Sequence, residues 1–130
     1  MCAGLCLAVG LLLCGLAIPR AVAYSLIGAD GGRAGAAIED GKALSAAEFA
    51  DARQRFGEAL AIHPADSDIA LGLARLDLRA ARNGDDAALD AALAHLKQAA
   101  AHAPNETFIW SELARTAMLQ GAEAGSVIPW

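Results

Sequence analysis

The pattern of hydrophobic and polar positions divides the chain into two parts. Residues 1–19 contain no charged side chain and are rich in Leu, Ala, Gly and Cys. Beyond residue 44, apolar residues instead recur at spacings of three and four, which is typical of amphipathic helices that bury one face. The pattern therefore predicts an apolar N-terminal helix followed by a helical body.

End signals divide the body into four helices. Ser45 and Glu48 form a capping box, in which each side chain satisfies a backbone amide at the start of a helix. Pro64 and Pro104 each stop a helix, and Asn83-Gly84 is a typical helix end. With their capping residues, the predicted helices cover about 45–62, 66–83, 85–103 and 106–120. Because the connections are short, consecutive helices should pack as antiparallel neighbours, which predicts an all-α fold of helical hairpins.

One arrangement of small and large apolar residues occurs before both prolines. The residues are Ala52, Phe56 and Ala59 before Pro64, and Ala92, Leu96 and Ala99 at the same distances before Pro104. The same alternation matches the second helix of tetratricopeptide repeats (TPR), which carries Ala, Phe, Ala and Pro, and the body resembles this family. Positions of the first helix of the repeat are matched by Leu73 and Ala74, and again by Trp110, Leu113 and Ala114.

The resemblance implies a short TPR-like α-solenoid that serves as a protein–protein interaction scaffold. The two prolines are 40 residues apart, whereas the family repeats about every 34 residues. The unit before Pro64 has a glycine-rich first half, and the unit after Pro104 ends after one helix. The expected array is therefore one complete hairpin flanked by two half units.

The apolar N-terminal segment has two interpretations. In the first it is a secretory signal peptide, because its apolar core is followed by the small-residue site Ala21-Val22-Ala23, and cleavage would leave Tyr24 as the first residue. In the second it is a retained membrane anchor, because about 20 apolar residues cross the hydrocarbon core of a bilayer. Leu26 and Ile27 extend the apolar stretch and favour the anchor.

These patterns predict four regions along the chain. Residues 1–27 form the signal peptide or membrane-anchor helix, and residues 45–121 form the TPR-like helical repeat domain. Residues 28–44 contain five glycines, each of which costs about 1 kcal/mol inside a helix, so this stretch is predicted as a linker or a badly formed helix. Residues 122–130 are a C-terminal tail.

The residue types needed for catalysis or metal binding do not form a recognisable motif. All three cysteines lie within the first 14 residues, so the body has none for a disulfide, a zinc site or a nucleophile. His95 and His102 could share one helix face, but two nitrogen ligands make a weak metal site. The acidic pairs Asp66/Asp68 and Asp85/Asp86 are explained as helix caps and dipole partners. We therefore expect a non-enzymatic protein without a cofactor or a metal.

Among the charged residues, one row of arginines is a candidate binding feature. The net charge is −5 and Lys and Arg form no basic cluster along the sequence, so we expect no nucleic-acid partner. Arg75, Arg79 and Arg82 lie along one helix and are the candidate partner-binding residues, because they could hold an acidic segment or a sugar acid. The alternative is a solvated row of arginines balanced by Asp77 and neighbouring acids.

The predicted function is a non-enzymatic scaffold that binds another protein and is anchored in a membrane or exported. An apolar helix followed by Ala- and Leu-rich helices is similar to small accessory proteins of bacterial envelope and exopolysaccharide systems. The expected location is the bacterial inner membrane facing the periplasm, or the periplasm or exterior after cleavage at Ala23. The alternative is a membrane-complex assembly subunit that acts through its N-terminal helix, where Gly4, Ala8 and Gly15 suit helix contacts in lipid.

Overall fold

The computed structural model describes residues 2–40 and 44–121, and within these ranges the fold is built from helices without a strand. The helices are α1 (Cys2–Glu39), α2 (Ala46–Ile62), α3 (Ser67–Arg82), α4 (Asp86–His102) and α5 (Thr107–Leu119). The all-α class and the apolar N-terminal helix predicted from the sequence are therefore confirmed. The predicted tail at 122–130 lies outside the described residues, as do residues 41–43.

The helix ends lie where the local signals place them. The Ser45 hydroxyl accepts a hydrogen bond from the Glu48 amide at 3.2 Å, and the Ser45 amide donates to the Glu48 carboxylate at 2.9 Å. Asp66 caps α3 by accepting hydrogen bonds from the amides of Asp68 and Ile69 at 3.1 and 3.2 Å. Gly84 follows α3 with a φ of 97°, a conformation that favours glycine. The capping signals therefore account for the starts of α2 and α3 and for the end of α3.

The helices pair as antiparallel hairpins. The contacts between α1 and α2 and between α3 and α4 are the most extensive, and smaller contacts join α2 to α3 and α4 to α5. Residues of all five helices contribute to one hydrophobic core. A hydrogen bond between distant residues also joins neighbouring hairpins. The Gln98 side chain on α4 donates to the backbone carbonyl of Pro64, which precedes α3.

The stretch predicted as a linker or a badly formed helix contains helix, and of these two alternatives residues 29–39 follow the second. Gly28 kinks α1 with φ 60° and ψ −176°, a backbone conformation that essentially only glycine adopts. Beyond the kink, α1 continues to Glu39 and packs along α2, with Ala34 only 4% exposed. The packing offsets the low helix propensity of glycine, because small residues let the two helices approach closely. The second half of α1 and α2 therefore form a hairpin, so the described helices comprise two hairpins and α5.

The residues of the repeated arrangement occupy equivalent buried positions in α2 and α4. Those of α2 are 2%, 9% and 0% exposed (Ala52, Phe56 and Ala59), and those of α4 are fully buried (Ala92, Leu96 and Ala99). Trp110 is half-buried against the same core, and its indole N–H donates to the Pro104 carbonyl at 2.8 Å. Helix faces that the sequence pattern marks as apolar thus form the core.

Candidate partner-binding groove and anchor junction

The three candidate arginines lie beside α5 and share a groove with it. Arg75 and Arg79 are half-buried on α3, and Arg82 is exposed near the end of the same helix. They border a hollow of about 300 Å³ to which α5 contributes a fourth arginine, Arg115. We call this surface the arginine groove and define it by its four arginines together with Leu78 and Phe108.

Contacts within the arginine groove orient some of its cations. The Arg75 guanidinium stacks over the Phe108 ring at 5.2 Å from the ring centre, and Arg115 pairs with the carboxylate of Glu112 at 2.9 Å. Within the described part of the chain, neither Arg79 nor Arg82 forms an ion pair. Their guanidinium groups therefore retain the planar set of donors that binds carboxylates in a bidentate manner.

Asp77 does not balance the arginine row, which corrects that part of the alternative interpretation. Its side chain is 1% exposed, and its carboxylate lies 2.7 Å from Nε of Arg53 on α2 and 2.8 Å from Nδ1 of His95 on α4. Arg53 also approaches Asp85 at 3.5 Å. The carboxylate of Asp77 thus joins three helices, and its negative charge is directed to Arg53 and His95 instead of the groove.

A smaller, mainly apolar hollow adjoins the arginine groove. It has a volume of about 150 Å³ and shares Leu78 and Arg82 with the arginine groove. The other lining residues are Ala81, Leu89 and Leu119, and Leu119 is 67% exposed. We call it the leucine hollow. A cationic surface and an apolar surface therefore lie side by side between α3 and α5.

A second cluster joins the apolar helix to the body. Arg20 Nε lies 3.4 Å from the Asp66 carboxylate, and the Tyr24 hydroxyl donates a hydrogen bond to the same carboxylate at 3.3 Å. The Arg20 guanidinium also stacks on the Tyr24 ring, and the intervening Ala23 is fully buried. We call Arg20, Tyr24 and Asp66 the anchor junction. The helical backbone passes without a break through the site Ala21-Val22-Ala23, at which a signal peptide would be cleaved.

The N-terminal helix is apolar enough to be a membrane span or a signal sequence. The stretch Ala8–Gly28 has 21 residues and a mean hydropathy of 1.7, and only 12% of it is buried inside the protein. Its exposed large side chains include Val9, Ile18 and the leucines at 11–13. Exposed apolar surfaces of this extent mark sites of contact with a membrane or with another protein.

The residues considered for catalysis or metal binding remain dispersed. His95 is engaged with Asp77, and a ring nitrogen of His63 is buried without a hydrogen-bond partner among the described residues. Across residues 2–40 and 44–121, no group of three or more His, Cys, Asp and Glu residues is placed to hold a metal ion. Cys6 and Cys14 are exposed free thiols on α1. The expectation of a non-enzymatic protein stays a prediction.

Comparison of the chain with protein-family models, with curated proteins and with solved structures gives no match. The protein is therefore described by its fold and by two clusters of side chains, the arginine groove and the anchor junction. It is an all-α protein in which an apolar N-terminal helix is packed through its second half onto antiparallel helical hairpins.

Reasoning from the sequence missed part of each cluster. The α5 side of the arginine groove had a usable signal, because the 40-residue offset between Pro64 and Pro104 also relates Arg75 to Arg115. The contact between Arg53 and Asp77 had no comparable signal, because it depends on which faces of α2 and α3 meet. The role of Asp66 as a helix cap was predicted, whereas its contacts with α1 were not.

Proposed function

We propose that the chain is a non-enzymatic scaffold of TPR-like hairpins, held at a membrane by a retained α1, that binds a partner protein through the arginine groove. The observation that carries the proposal is the groove itself, in which Arg79 and Arg82 have no ion pair within the described residues. Partly ordered cations beside an exposed aromatic ring are typical of binding surfaces, since Arg and aromatic residues supply much of the energy of protein interfaces.

The anchor junction supports a retained helix over a cleaved signal peptide. Cleavage after Ala23 would remove Arg20 and with it the ion pair to Asp66. The junction also makes α1 continuous with the body, because residues on both sides of the cleavage site contact the turn before α3. A helix that is exposed and apolar at its start and packed onto the body at its end is suited to hold that body at a membrane surface.

The TPR-like assignment is supported by the equivalent burial of the repeated residues. Phe56 and Leu96 stand at the same position of α2 and α4 and are both buried between helices. The 40-residue offset also relates Ala34 of α1 to Ala74 of α3, and both are buried. The 40-residue offset thus relates the first helix of one hairpin to the first helix of the next, and likewise the two second helices, as expected of repeated hairpins.

The finer location that we propose is the bacterial inner membrane, with the body in the periplasm and an accessory role in an envelope or exopolysaccharide system. The cysteine distribution permits an oxidising compartment, since the body holds no thiol that could be oxidised. The similarity in composition to accessory proteins of such systems points in the same direction.

The test is crosslinking in cells. A photocrosslinking amino acid is placed at Ser111, exposed beside the arginine groove, and in a matched variant at Gln54, exposed on α2. The tagged protein is purified from membranes and analysed by mass spectrometry. We expect one reproducible partner crosslinked from position 111 and absent from position 54, together with an N-terminal peptide that begins at Met1.

Two results would contradict the proposal. A third variant carries the crosslinking amino acid at Leu12, exposed on α1, and a partner captured from this position but not from position 111 would favour the assembly subunit that acts through its N-terminal helix. An N-terminal peptide that begins at Tyr24 would show that the segment is a cleaved signal peptide, and would refute the retained anchor without affecting the groove.

A further inference from the structure

We propose that the arginine groove and the leucine hollow together bind an extended acidic segment of the partner protein, with the pattern acidic–x–acidic–x–aliphatic. The inference rests on the proposed scaffold function and specifies the chemistry of its partner. The proposed ligand is a segment of a protein, and the experiment below also measures whether an acidic polysaccharide binds at this surface instead.

Charge complementarity selects an acidic ligand. The chain has a net charge of −5, yet four of its ten Lys and Arg residues line the arginine groove. The carboxylate of Glu112 at this surface is already paired with Arg115. A ligand that brings carboxylates to Arg79 and Arg82 forms charge-assisted hydrogen bonds without first displacing an ion pair of the described chain.

The spacing of the arginines matches an extended peptide. Arg79 and Arg82 are three residues apart, and a rise of 1.5 Å per residue separates their backbone positions by about 4.5 Å along α3, a separation that their long side chains can widen. In an extended chain, side chains two residues apart lie on the same side at a separation of about 6.6 Å. Two acidic residues separated by one residue therefore reach successive arginines of the row.

The leucine hollow supplies the third position of the pattern. It shares Arg82 with the arginine groove and is lined otherwise by apolar side chains, including Leu119. A residue placed two positions beyond the second acidic residue reaches this hollow, where an aliphatic side chain removes exposed apolar surface from water. A polymer of sugar acids offers carboxylates but no aliphatic side chain for the hollow. The neighbouring apolar surface thus favours a protein segment.

The experiment measures peptide binding to the full-length protein in a mild detergent by fluorescence anisotropy. The probe is a short labelled peptide with two Asp residues and one Leu in the proposed pattern on a Gly/Ser background. Matched peptides replace both Asp residues with Asn, or the Leu with Ser. Unlabelled oligogalacturonate, a polymer of sugar acids, serves as the competitor that represents an acidic polysaccharide.

We expect the acidic peptide to bind at least about tenfold more tightly than its Asn counterpart, and replacing the Leu to weaken binding by about fivefold. Arg79→Glu and Arg82→Glu should each weaken binding by about tenfold or more. Lys97→Glu is the matched control, because Lys97 is exposed on α4 outside the groove and its reversal changes the net charge by the same amount. It should leave affinity unchanged within about twofold. Arg82→Lys retains the charge but loses the bidentate geometry and should have an intermediate effect.

Three outcomes would overturn the inference. The first is equal weakening by Lys97→Glu and Arg79→Glu, which would indicate general charge attraction. The second is displacement of the peptide by oligogalacturonate at equal or lower concentration, which would identify a site for sugar acids. The third is equal affinity for the acidic peptide and its Asn counterpart, measured with protein whose circular dichroism shows intact helices. If the partner is still captured from position 111 in cells, the scaffold function stands while the acidic pattern fails.

Discussion

At the scale of single residues, the ring of Phe56 shows how small side chains determine the packing of this body. The ring lies between two glycines on different helices, Gly31 of α1 and Gly72 of α3. A Cβ built on Gly31 would lie 3.7 Å from the ring, and one built on Gly72 would overlap with it. The inward position of Phe56 was predicted from periodicity, whereas the need for a glycine at position 72 beside the ring became apparent only from the packing.

The Gly72→Ala variant should be less stable although alanine has the higher helix propensity. The added methyl group overlaps with the Phe56 ring, and overpacking costs about 1–3 kcal/mol, more than the gain of about 1 kcal/mol in propensity. Gly57→Ala is the matched control, because nothing lies within 4 Å of a Cβ there, and it should raise stability by up to about 1 kcal/mol. Urea unfolding in detergent measures both. A gain in stability for Gly72→Ala would contradict the close contact.

Asp77 is the residue whose environment differs most from its sequence-based interpretation. Its carboxylate is buried between Arg53 and His95, and an amide in its place removes the negative charge and can accept a hydrogen bond from only one of the two groups. We expect Asp77→Asn to lower the free energy of unfolding by about 2 kcal/mol. The matched control Asp51→Asn removes an exposed i,i+4 pair with Arg55 and should cost no more than about 0.5 kcal/mol. Equal effects in chemical denaturation would show that the buried network does not stabilise the fold.

At the scale of elements, the ends of α2 and α3 follow from local rules and the course of α1 does not. A capping box joins residues three positions apart, so the sequence contains all that is needed to predict it. The helix after Gly28 depends instead on packing against α2, because three glycines within residues 29–39 argue against a helix when this stretch is considered alone. Local propensity and tertiary contact therefore disagree at residues 29–39, and tertiary contact prevails.

The capping box should be visible in the titration of Glu48. Hydrogen bonds from the Ser45 hydroxyl and the Ser45 backbone amide favour the ionised carboxylate and lower the pKa of Glu48 below its ordinary value of 4.5. The contribution of the carboxylate to stability is therefore present above pH 4.5 and is lost as the pH falls through the lowered pKa of the folded state. NMR titration should give a low pKa that rises in Ser45→Ala. An unchanged pKa in Ser45→Ala would contradict this assignment.

At the scale of the whole molecule, α1 belongs to two environments. Its first part carries exposed apolar side chains, while Ala23, Ile27 and Ala34 enter the same core as α2 and α3. The sequence predicts a repeat domain that begins at residue 45, whereas the described core contacts begin at Ala23. This difference makes the predicted boundary testable by truncation.

A chain that starts at Arg20 should fold, and one that starts at Ser45 should not fold cooperatively. The first retains the anchor junction and the α1 surface that covers α2, whereas the second exposes the Phe56 side of α2 to water. Short helical arrays depend on contacts between neighbouring units, so the loss of one covering helix removes a large share of their stability. Thermal unfolding followed by far-UV circular dichroism distinguishes the two chains. Cooperative unfolding of both at the same temperature would support the boundary at residue 45.

The sequence by itself determined the helical class, most helix ends, the apolar N-terminal helix and the buried residues before each proline. These features depend on residues within about two helical turns of one another, where spacing and capping chemistry act locally. Only the tertiary structure decided that residues 29–39 are helical, that Asp77 is buried, and that Phe108 and Arg115 complete the arginine groove. Each of these depends on which helix faces meet across 20 to 40 residues of chain, and the total packing energy, rather than any local pattern, decides that choice.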